Sequence, residues 1–386
     1  MIVEPKVREF ICTTAHPIGC RENVRQQIAY IKEKVCFEGK KHVLVIGAST
    51  GYGLASRITM AFGAKAATIG VMFEKEASGK RTATPGWYNT KAFEEFAKEE
   101  GLYAKSINKD AFSEEVKEHV AQMIKEDWGS VDLIIYSLAS PRRTTKEGIT
   151  YHSTLKTCDQ SFTEKSWNLR NNQISEATIL AASPEELEST VKVMGGEDWY
   201  DWIQTLDRAG VLAKDAVTVA YSYIGPELTY PVYYQGTIGM AKKNLEEFSN
   251  RLNQEYKKEG LKAYISVNKA LVTQASSAIP IVPLYFAILY KVMKQAGTHE
   301  GCIEQMGRLF GEKLFANPCL LDEEGRIRMD DYEMEKTTQQ KVMEIWNQIT
   351  TENLMELADV DGYWEDFYHM FGFRFATVDY TKEVEI

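Results

Sequence analysis

A tyrosine-rich turn followed by a lysine-bearing helix is the part of this sequence best suited to chemistry. Residues 220–226 read AYSYIGP, and residues 233–243 read YYQGTIGMAKK. In Rossmann-type reductases a phenol hydrogen-bonds the reacting carbonyl oxygen, and a lysine on the following helix binds the nicotinamide ribose hydroxyls. The charge of that lysine favours the anionic form of the phenol. The segment therefore predicts acid–base chemistry beside a nicotinamide cofactor.

The spacing between these side chains limits how they cooperate. Tyr233 and Lys242 are nine residues apart. In a continuous helix that separation is about 900°, which places the two on opposite faces. Gly236 and Gly239 remove the obstacle, because the helix can begin near Thr237 and leave Tyr233 on an irregular turn that points back into the site.

A second pair, Tyr234 and Lys243, has the same separation as Tyr233 and Lys242. Spacing alone therefore does not choose between the pairs. Any single tyrosine in this stretch is more often a core or rim aromatic than a catalytic group. The cluster as a whole favours catalysis.

A glycine-rich turn near the start of the chain predicts a dinucleotide site. It follows an apolar, β-branched run at 42–47 (HVLVIG) and leads into a helix predicted at 54–62. The glycines permit a tight turn and a close approach of pyrophosphate, which then binds the N–H groups of the helix N-terminus. The alternative is an ordinary glycine-rich connection between strand and helix. The turn consists of Gly47, Ala48, Ser49, Thr50, Gly51, Tyr52 and Gly53.

Glu74 follows the second predicted strand, 21 residues after Gly53. A carboxylate there can accept hydrogen bonds from both adenosine ribose hydroxyls and repels a 2′-phosphate, so it favours NADH. The alternatives are a solvated loop residue and, through nearby cations, a preference for NADPH. Those cations are Lys75, Lys80 and Arg81. Two further segments follow strands where the cofactor passes: Asp110 and Ala111 near the adenine, and Ser137, Leu138 and Ala139 beneath the nicotinamide half.

Strand and helix signals alternate through most of the chain and predict an enlarged, Rossmann-type, doubly wound parallel sheet. Strands are predicted at 42–47, 67–73, 103–107, 131–136, 216–221 and 263–268, and helices at 54–62, 92–100, 114–126 and 239–258. A polar loop containing Pro85 and Gly86 is expected between the second strand and its helix.

Residues 141–210 interrupt this alternation and are predicted to be an insertion beside the active site. Because the strand signals return after it, one large domain over 1–386 is favoured over two. Beyond Pro280 the chain is expected to be mostly helical to about 353, on the substrate side, and the C-terminal 30 residues are rich in aromatics.

Composition excludes several functions. A net charge of −10 argues against nucleic acid as a main partner, which requires a basic face. The six cysteines form no C-x-x-C pair and histidine is sparse, so a metal site is not expected. The most apolar stretch, 279–293, is too short to span a bilayer, and the N-terminus lacks a signal-peptide pattern. We expect a cytoplasmic protein with reduced thiols.

Long matches in order along the chain resemble the trans-2-enoyl-CoA reductase (NADH) and FabV-type enoyl-acyl-carrier-protein reductase family. They include GASTGYGLASR at 47–57, TPGWYN at 84–89, YSLASP at 136–141, VMGGEDW at 193–199, AYSYIGPE at 220–227, GTIGMAKKNLE at 236–246 and SVNKALVTQASSAIP at 266–280, with Ala15, His16, Pro17, Gly19 and Cys20 near the start.

The resemblance implies NADH-dependent reduction of the 2,3 double bond of trans-2-enoyl thioesters, by a monomer that needs no metal or flavin. It assigns the family's Tyr-x8-Lys pair to Tyr233 and Lys242 and a substrate contact to Tyr223. It also places NAD contacts at Gly47, Ala48, Ser49, Thr50, Gly51, Tyr52, Phe73, Glu74, Asp110, Ala111, Leu138, Ala139, Leu271, Val272 and Thr273, and it links the residue at Glu74 to the choice of NADH over NADPH.

Two other functions remain open from the sequence. One is a short-chain ketone or alcohol dehydrogenase that uses the same tyrosine and lysine. The other is a catalytically silent NAD-binding regulator, which the presence of Tyr233, Lys242 and the full glycine turn disfavours. The sequence also leaves open whether the acyl carrier is CoA or acyl-carrier protein, with CoA preferred.

Overall fold

The computed structural model describes residues 1–8, 11–274, 276 and 279–386. In this part of the chain the strands are β1 (Val7–Arg8), β2 (Ile11–Cys12), β3 (His42–Ile46), β4 (Ala67–Met72), β5 (Ala104–Asn108), β6 (Val131–Tyr136), β7 (Arg142–Thr144), β8 (Thr150–His152), β9 (Phe162–Asn168), β10 (Gln173–Ile179), β11 (Leu212–Ser222), β12 (Lys262–Val267) and β13 (Ile327–Arg328). The α-helices are α1 (Pro17–Lys34), α2 (Gly51–Ile58), α3 (Pro85–Glu99), α4 (Glu114–Asp127), α5 (Pro184–Met194), α6 (Glu197–Arg208), α7 (Thr237–Glu255), α8 (Val282–Ala296), α9 (Cys302–Arg308), α10 (Lys336–Gln348), α11 (Leu354–Leu357) and α12 (Val360–His369).

Seven of the strands form one sheet in the order β13-β12-β11-β6-β3-β4-β5. Every neighbouring pair in it is parallel. The strand order reverses between β3 and β6, the switch point at which doubly wound sheets bind their ligands. The predicted doubly wound parallel sheet is confirmed.

Side chains that alternate along the central strands bury both faces of this sheet, as parallel sheets require. Leu44 and Ile46 belong to a core shared with α4, α6 and α7. Val43 and Val45 point the other way, into a core shared with α1, α2 and α9. Helices therefore pack on both faces of the sheet and support the carboxyl ends of the strands, where the predicted site lies.

The C-terminal helices form a third core beside the sheet. It centres on α8, whose residues from Val282 to Tyr290 are all buried, and it includes side chains of α10 and α12. The hairpin of β9 and β10 contributes Trp167 and Ile179. A helical C-terminal part was predicted and is confirmed.

The segment predicted as an insertion contains two hairpins, β7–β8 and β9–β10, followed by α5 and α6. Its last helix, α6, belongs to the layer under the sheet: Trp199 and Trp202 are fully buried there, and the Trp202 indole N–H donates to the carbonyl of Ala111 after β5 (3.2 Å). In connectivity α6 is thus the crossover helix between β6 and β11.

One local prediction was wrong and one strand was missed. The expected loop at Pro85 is the first turn of α3, because proline lacks the N–H that a helix leaves unpaired at its first position. The seventh strand, β13, was missed, since two residues carry no detectable alternation.

Candidate active site

The carboxyl ends of the parallel strands gather the predicted cofactor residues at one edge of the sheet. Tyr52, in the glycine turn after β3, donates its hydroxyl hydrogen bond to the carbonyl of Lys269 after β12 (2.8 Å). The amide of Ser137, directly after β6, donates to the carbonyl of Ile46 at the end of β3 (2.8 Å). The turns after β3, β6 and β12 therefore meet at the switch point.

The glycine turn is shaped by close backbone packing. Gly47 has φ +87°, and a Cβ on it would collide with the carbonyl of Ser137; a Cβ on Gly53 would collide with the carbonyl of Gly47. Gly51 (φ +52°) faces open space. The N-cap residue of α2, Thr50, makes no side-chain capping hydrogen bond. The first N–H groups of α2 are thus not capped by that side chain, as pyrophosphate binding requires.

Glu74 is held in a defined position at the end of β4. The hydroxyl of Ser49 donates to its Oε1 (2.6 Å), and its backbone exchanges two hydrogen bonds with the Asn108 side chain (2.7 and 2.9 Å). A Cβ on Gly86, in the first turn of α3, would overlap the carboxylate. The neighbouring Phe73 is 73% exposed. The carboxylate therefore lies beside the glycine turn, where a ribose or its phosphate would meet it.

The other predicted cofactor segments follow β5, β6 and β12. Asp110 accepts the amide of Phe112 (3.0 Å). The amide of Val272 donates to the hydroxyl of Tyr290 (3.1 Å), and that of Thr273 to Ser276 (2.9 Å). These bonds hold the backbone of the loops after β5 and β12. Ala111 and Leu271 are buried, Leu138 is half-buried and Ala139 is exposed. Within the motif quoted at 266–280, Ala275, Ser277 and Ala278 lie outside the described residues.

The turn before α7 has the predicted form. The helix begins at Thr237, and the amide of Gly239 donates to the carbonyl of Tyr233 (2.9 Å). A Cβ on Gly239 would collide with the carbonyls of Tyr233 and Tyr234. A glycine is required here because the tyrosine turn packs directly on the first turn of the helix.

The structure separates the two tyrosine–lysine pairs that spacing left equivalent. Lys242 donates its ammonium hydrogen bond to the carbonyl of Tyr221 at the end of β11 (2.8 Å). Lys243 instead stacks on the ring of Tyr234, 5.0 Å from its centroid. Tyr233 packs edge-to-face on Tyr223, with ring centroids 4.8 Å apart. Lys242 is the lysine directed at the carboxyl edge of the sheet.

Burial shifts the pKa values of Lys242 and Tyr233 in opposite directions. Desolvation lowers the pKa of Lys242 to about 8 and raises the pKa of Tyr233 above its ordinary value. Desolvation thus opposes the anionic phenol that a lysine charge would favour. Tyr233 keeps its proton at neutral pH and is available as a hydrogen-bond donor.

A buried carboxylate behind Tyr223 was missed in the sequence. Glu333 is fully buried and accepts hydrogen bonds from the hydroxyls of Tyr223 (3.0 Å) and Tyr285 (2.7 Å) and from the amide of Ala270 (2.7 Å). In the sequence it is one acid in the polar run DDYEMEK at 330–336. Nothing local distinguishes it from a solvated side chain.

The sheet, the uncapped glycine turn and the tyrosine–lysine site together define a Rossmann-type, dinucleotide-dependent oxidoreductase. Comparison with known families matches residues 2–79 to the NAD(P)H binding domain of trans-2-enoyl-CoA reductase and residues 81–315 to the trans-2-enoyl-CoA reductase catalytic region. The chain belongs to the trans-2-enoyl-CoA reductase family, as the sequence motifs predicted. Both matched regions contribute strands to the same sheet.

Relatives carry both of the names expected from the sequence. The chain is 56% identical over 99% of its length to an enoyl-[acyl-carrier-protein] reductase [NADH] of Flavobacterium johnsoniae, covering 97% of that protein. It is 51% identical over its full length to a trans-2-enoyl-CoA reductase [NADH] of Ruminiclostridium cellulolyticum, covering 98% of it. The crystal structure of Treponema denticola trans-2-enoyl-CoA reductase in complex with NAD superposes with a TM-score of 0.96 at 48% identity, covering 100% of this chain and 98% of that one.

Residues 321–384 match a family described as an enoyl reductase FAD binding domain. The side chains here do not fit a flavin dinucleotide. The N-terminus of α12 is capped by the carboxylate of Asp359, which pairs with Lys294 (2.7 Å), and α10 begins after Glu335. Carboxylates at both positions repel a diphosphate. Among the described helices, none is both long and apolar enough to cross a membrane.

Proposed function

We propose that this chain reduces the 2,3 double bond of trans-2-enoyl thioesters with NADH, giving saturated acyl thioesters. The observation that carries the proposal is the Tyr233 turn, packed on the start of α7 by Gly239, with Lys242 directed at the same sheet edge as the glycine turn. Membership of the reductase family supports it.

In this proposal the residues divide the work between cofactor and substrate. The nicotinamide, when bound, supplies hydride to Cβ of the enoyl group. The first N–H groups of α2 would hold the pyrophosphate and Lys242 the nicotinamide ribose. Tyr233 donates a hydrogen bond to the thioester oxygen, on which negative charge develops; one such donor contributes about 3 kcal/mol to transition-state stabilisation. Tyr223 assists from its edge-to-face position. Protonation of the enolate at Cα, with the proton taken from solvent, completes the saturated product.

The preference for NADH is assigned to Glu74. Its carboxylate, oriented by Ser49, would accept the adenosine ribose hydroxyls and repel the 2′-phosphate of NADPH. The names of the relatives, which specify NADH, support this assignment.

The acyl chain is proposed to enter beside α8. The helix is buried along its length from Val282 to Tyr290, so most of these side chains serve the core and only a few could contact substrate. CoA is proposed as the carrier, with acyl-carrier protein as the alternative; the relatives are named for both.

One set of measurements tests the activity. We expect the protein to oxidise NADH in the presence of crotonyl-CoA and of longer enoyl-CoA substrates. Comparing kcat/KM for CoA and acyl-carrier-protein substrates identifies the carrier, and comparing kcat/KM for NADH and NADPH identifies the cofactor. Turnover of acetoacetyl-CoA in place of crotonyl-CoA would indicate that the protein is instead a short-chain ketone dehydrogenase. Thermal stabilisation by NADH without turnover of any substrate would indicate a catalytically silent NAD-binding regulator.

We also propose a cytoplasmic, monomeric protein with a single domain over 1–386. Six free thiols support a reducing compartment, and the family resemblance supports the monomer. Light scattering of the purified chain and a single unfolding transition test the last two proposals; a dimer mass or two separated transitions would contradict them.

A further inference from the structure

Glu333 connects the substrate side of the site to the cofactor side. It follows β13, and its two carboxylate oxygens receive different donors: Oε1 faces the hydroxyls of Tyr223 and Tyr285, and Oε2 faces the amide of Ala270. Ala270 immediately precedes the cofactor segment at 271–273, and Tyr223 contacts the ring of Tyr233. One buried side chain therefore contacts a tyrosine on the proposed substrate side and the residue that precedes the proposed cofactor segment.

The protonation of this carboxyl decides where the proton of Tyr223 points. An ionised carboxylate only accepts hydrogen bonds. The phenol proton of Tyr223 is then directed at Glu333, and only oxygen lone pairs face the substrate. When the carboxyl carries a proton on Oε1, it donates to Tyr223, whose own proton becomes free for another acceptor. The amide of Ala270 can donate to Oε2 in either state.

The surroundings of Glu333 make both states accessible. Burial raises its pKa above the ordinary value, with a further upward contribution from Asp330, while Lys269 and the hydrogen bonds from Ala270 and Tyr285 act in the opposite direction. Lys269 is itself buried, donates to the carbonyl of Ala270 (2.9 Å) and lies over the ring of Tyr290; burial lowers its pKa to about 8. The titratable and charged groups that face the carboxyl are Tyr223 after β11, Lys269 after β12, Tyr285 on α8, Asp330 after β13 and, at longer range, Tyr52 on α2.

We propose that Glu333 is a positioning residue that switches the Tyr223 hydroxyl: Tyr223 donates to the substrate thioester oxygen only while the Glu333 carboxyl is protonated. The proposal rests on the proposed enoyl-thioester reductase activity. It makes the reaction rate depend on one further ionisation, because kcat/KM then falls at alkaline pH as Glu333 loses its proton.

The test is the pH dependence of kcat/KM for NADH and crotonyl-CoA in the wild-type protein and three variants. Glu333→Gln keeps an acceptor for Ala270 and presents a permanent donor to Tyr223, so the alkaline decrease that belongs to Glu333 disappears. Tyr285→Phe removes one hydrogen bond from the anion and shifts that decrease to higher pH by roughly half to one unit. The matched control is Tyr363→Phe, in the same core, whose buried hydroxyl has no partner among the described residues.

The outcomes are distinct. If neither Tyr285→Phe nor Glu333→Gln changes the pH profile of kcat/KM, the role of Glu333 is overturned while the reductase activity stands. The same conclusion follows if Tyr363→Phe shifts the profile as much as Tyr285→Phe does. If Glu333→Gln does not fold, the shift in Tyr285→Phe decides. Absence of crotonyl-CoA turnover by the wild-type protein at every pH refutes the proposed function and the switch with it.

Discussion

Replacing Tyr233 by phenylalanine separates catalysis from stability in this protein. The Tyr233 hydroxyl makes no side-chain hydrogen bond in the described part of the chain, and its ring contact with Tyr223 survives in phenylalanine. We therefore expect the free energy of unfolding to change by less than about 0.5 kcal/mol. The same replacement at Tyr223 breaks a bond to a buried carboxylate, and we expect it to cost about 1.5–3 kcal/mol.

The effect of Tyr233→Phe on turnover should be large. It removes a donor aimed at the developing enolate, which is worth about 3–4 kcal/mol, so kcat falls by about 10²–10³. NADH affinity should stay within about twofold, because the phenol is assigned to the substrate. Nicotinamide absorbance with crotonyl-CoA measures kcat, calorimetric titration measures NADH binding, and urea unfolding measures stability.

Two results would refute this reasoning. Turnover close to wild type would move the acid role to another residue, with Tyr223 the first candidate. A loss of stability equal to that of Tyr223→Phe would show that the Tyr233 hydroxyl is engaged in the free protein. Comparing Tyr233→Phe with Tyr223→Phe therefore tests both the catalytic role of the Tyr233 hydroxyl and whether that hydroxyl is hydrogen-bonded in the folded protein.

Three further predictions concern the elements around this phenol. Gly239→Ala forces a Cβ into the backbone of the tyrosine turn and should lower kcat about 10- to 100-fold. In the control Gly311→Ala, the new Cβ meets only a Val35 methyl at 3.5 Å, so kcat should stay unchanged. Steady-state kinetics of the two variants tests this prediction. Glu74→Ala removes the charge that repels a 2′-phosphate and should raise the kcat/KM ratio of NADPH to NADH by about tenfold or more; an unchanged ratio would place the discrimination elsewhere. Lys242, with its pKa lowered from 10.5 to about 8, is charged below that pH. NADH affinity measured by titration calorimetry should therefore weaken as pH rises through 8, and Lys242→Met should abolish that dependence.

Much of the fold follows from local patterns. Short runs rich in apolar and β-branched residues identified five of the seven parallel strands, since strands buried on both faces need little beyond continuous apolar side chains. The edge strand β5 was predicted at 103–107, where the sequence is the more polar YAKSI. Helix starts were less certain, because Pro85 is compatible with either a turn or a first helical position. β13 pairs only at Ile327 and Arg328, and so short a strand depends entirely on its neighbour β12.

What the sequence by itself determined is the chemistry available at each position: a glycine turn for pyrophosphate, a carboxylate 21 residues beyond it, and a tyrosine–lysine pair separated by helix-starting glycines. Spacing left the two lysines equivalent and the family resemblance favoured Lys242; the tertiary structure directs Lys242 at the sheet edge and stacks Lys243 on Tyr234. It alone placed Glu333 behind Tyr223, a residue 110 positions away along the chain. The physical reason is that periodicity and turn chemistry act over a few residues, whereas burial and the hydrogen bonds of a buried carboxylate are set by elements that meet only when the sheet and its helices pack.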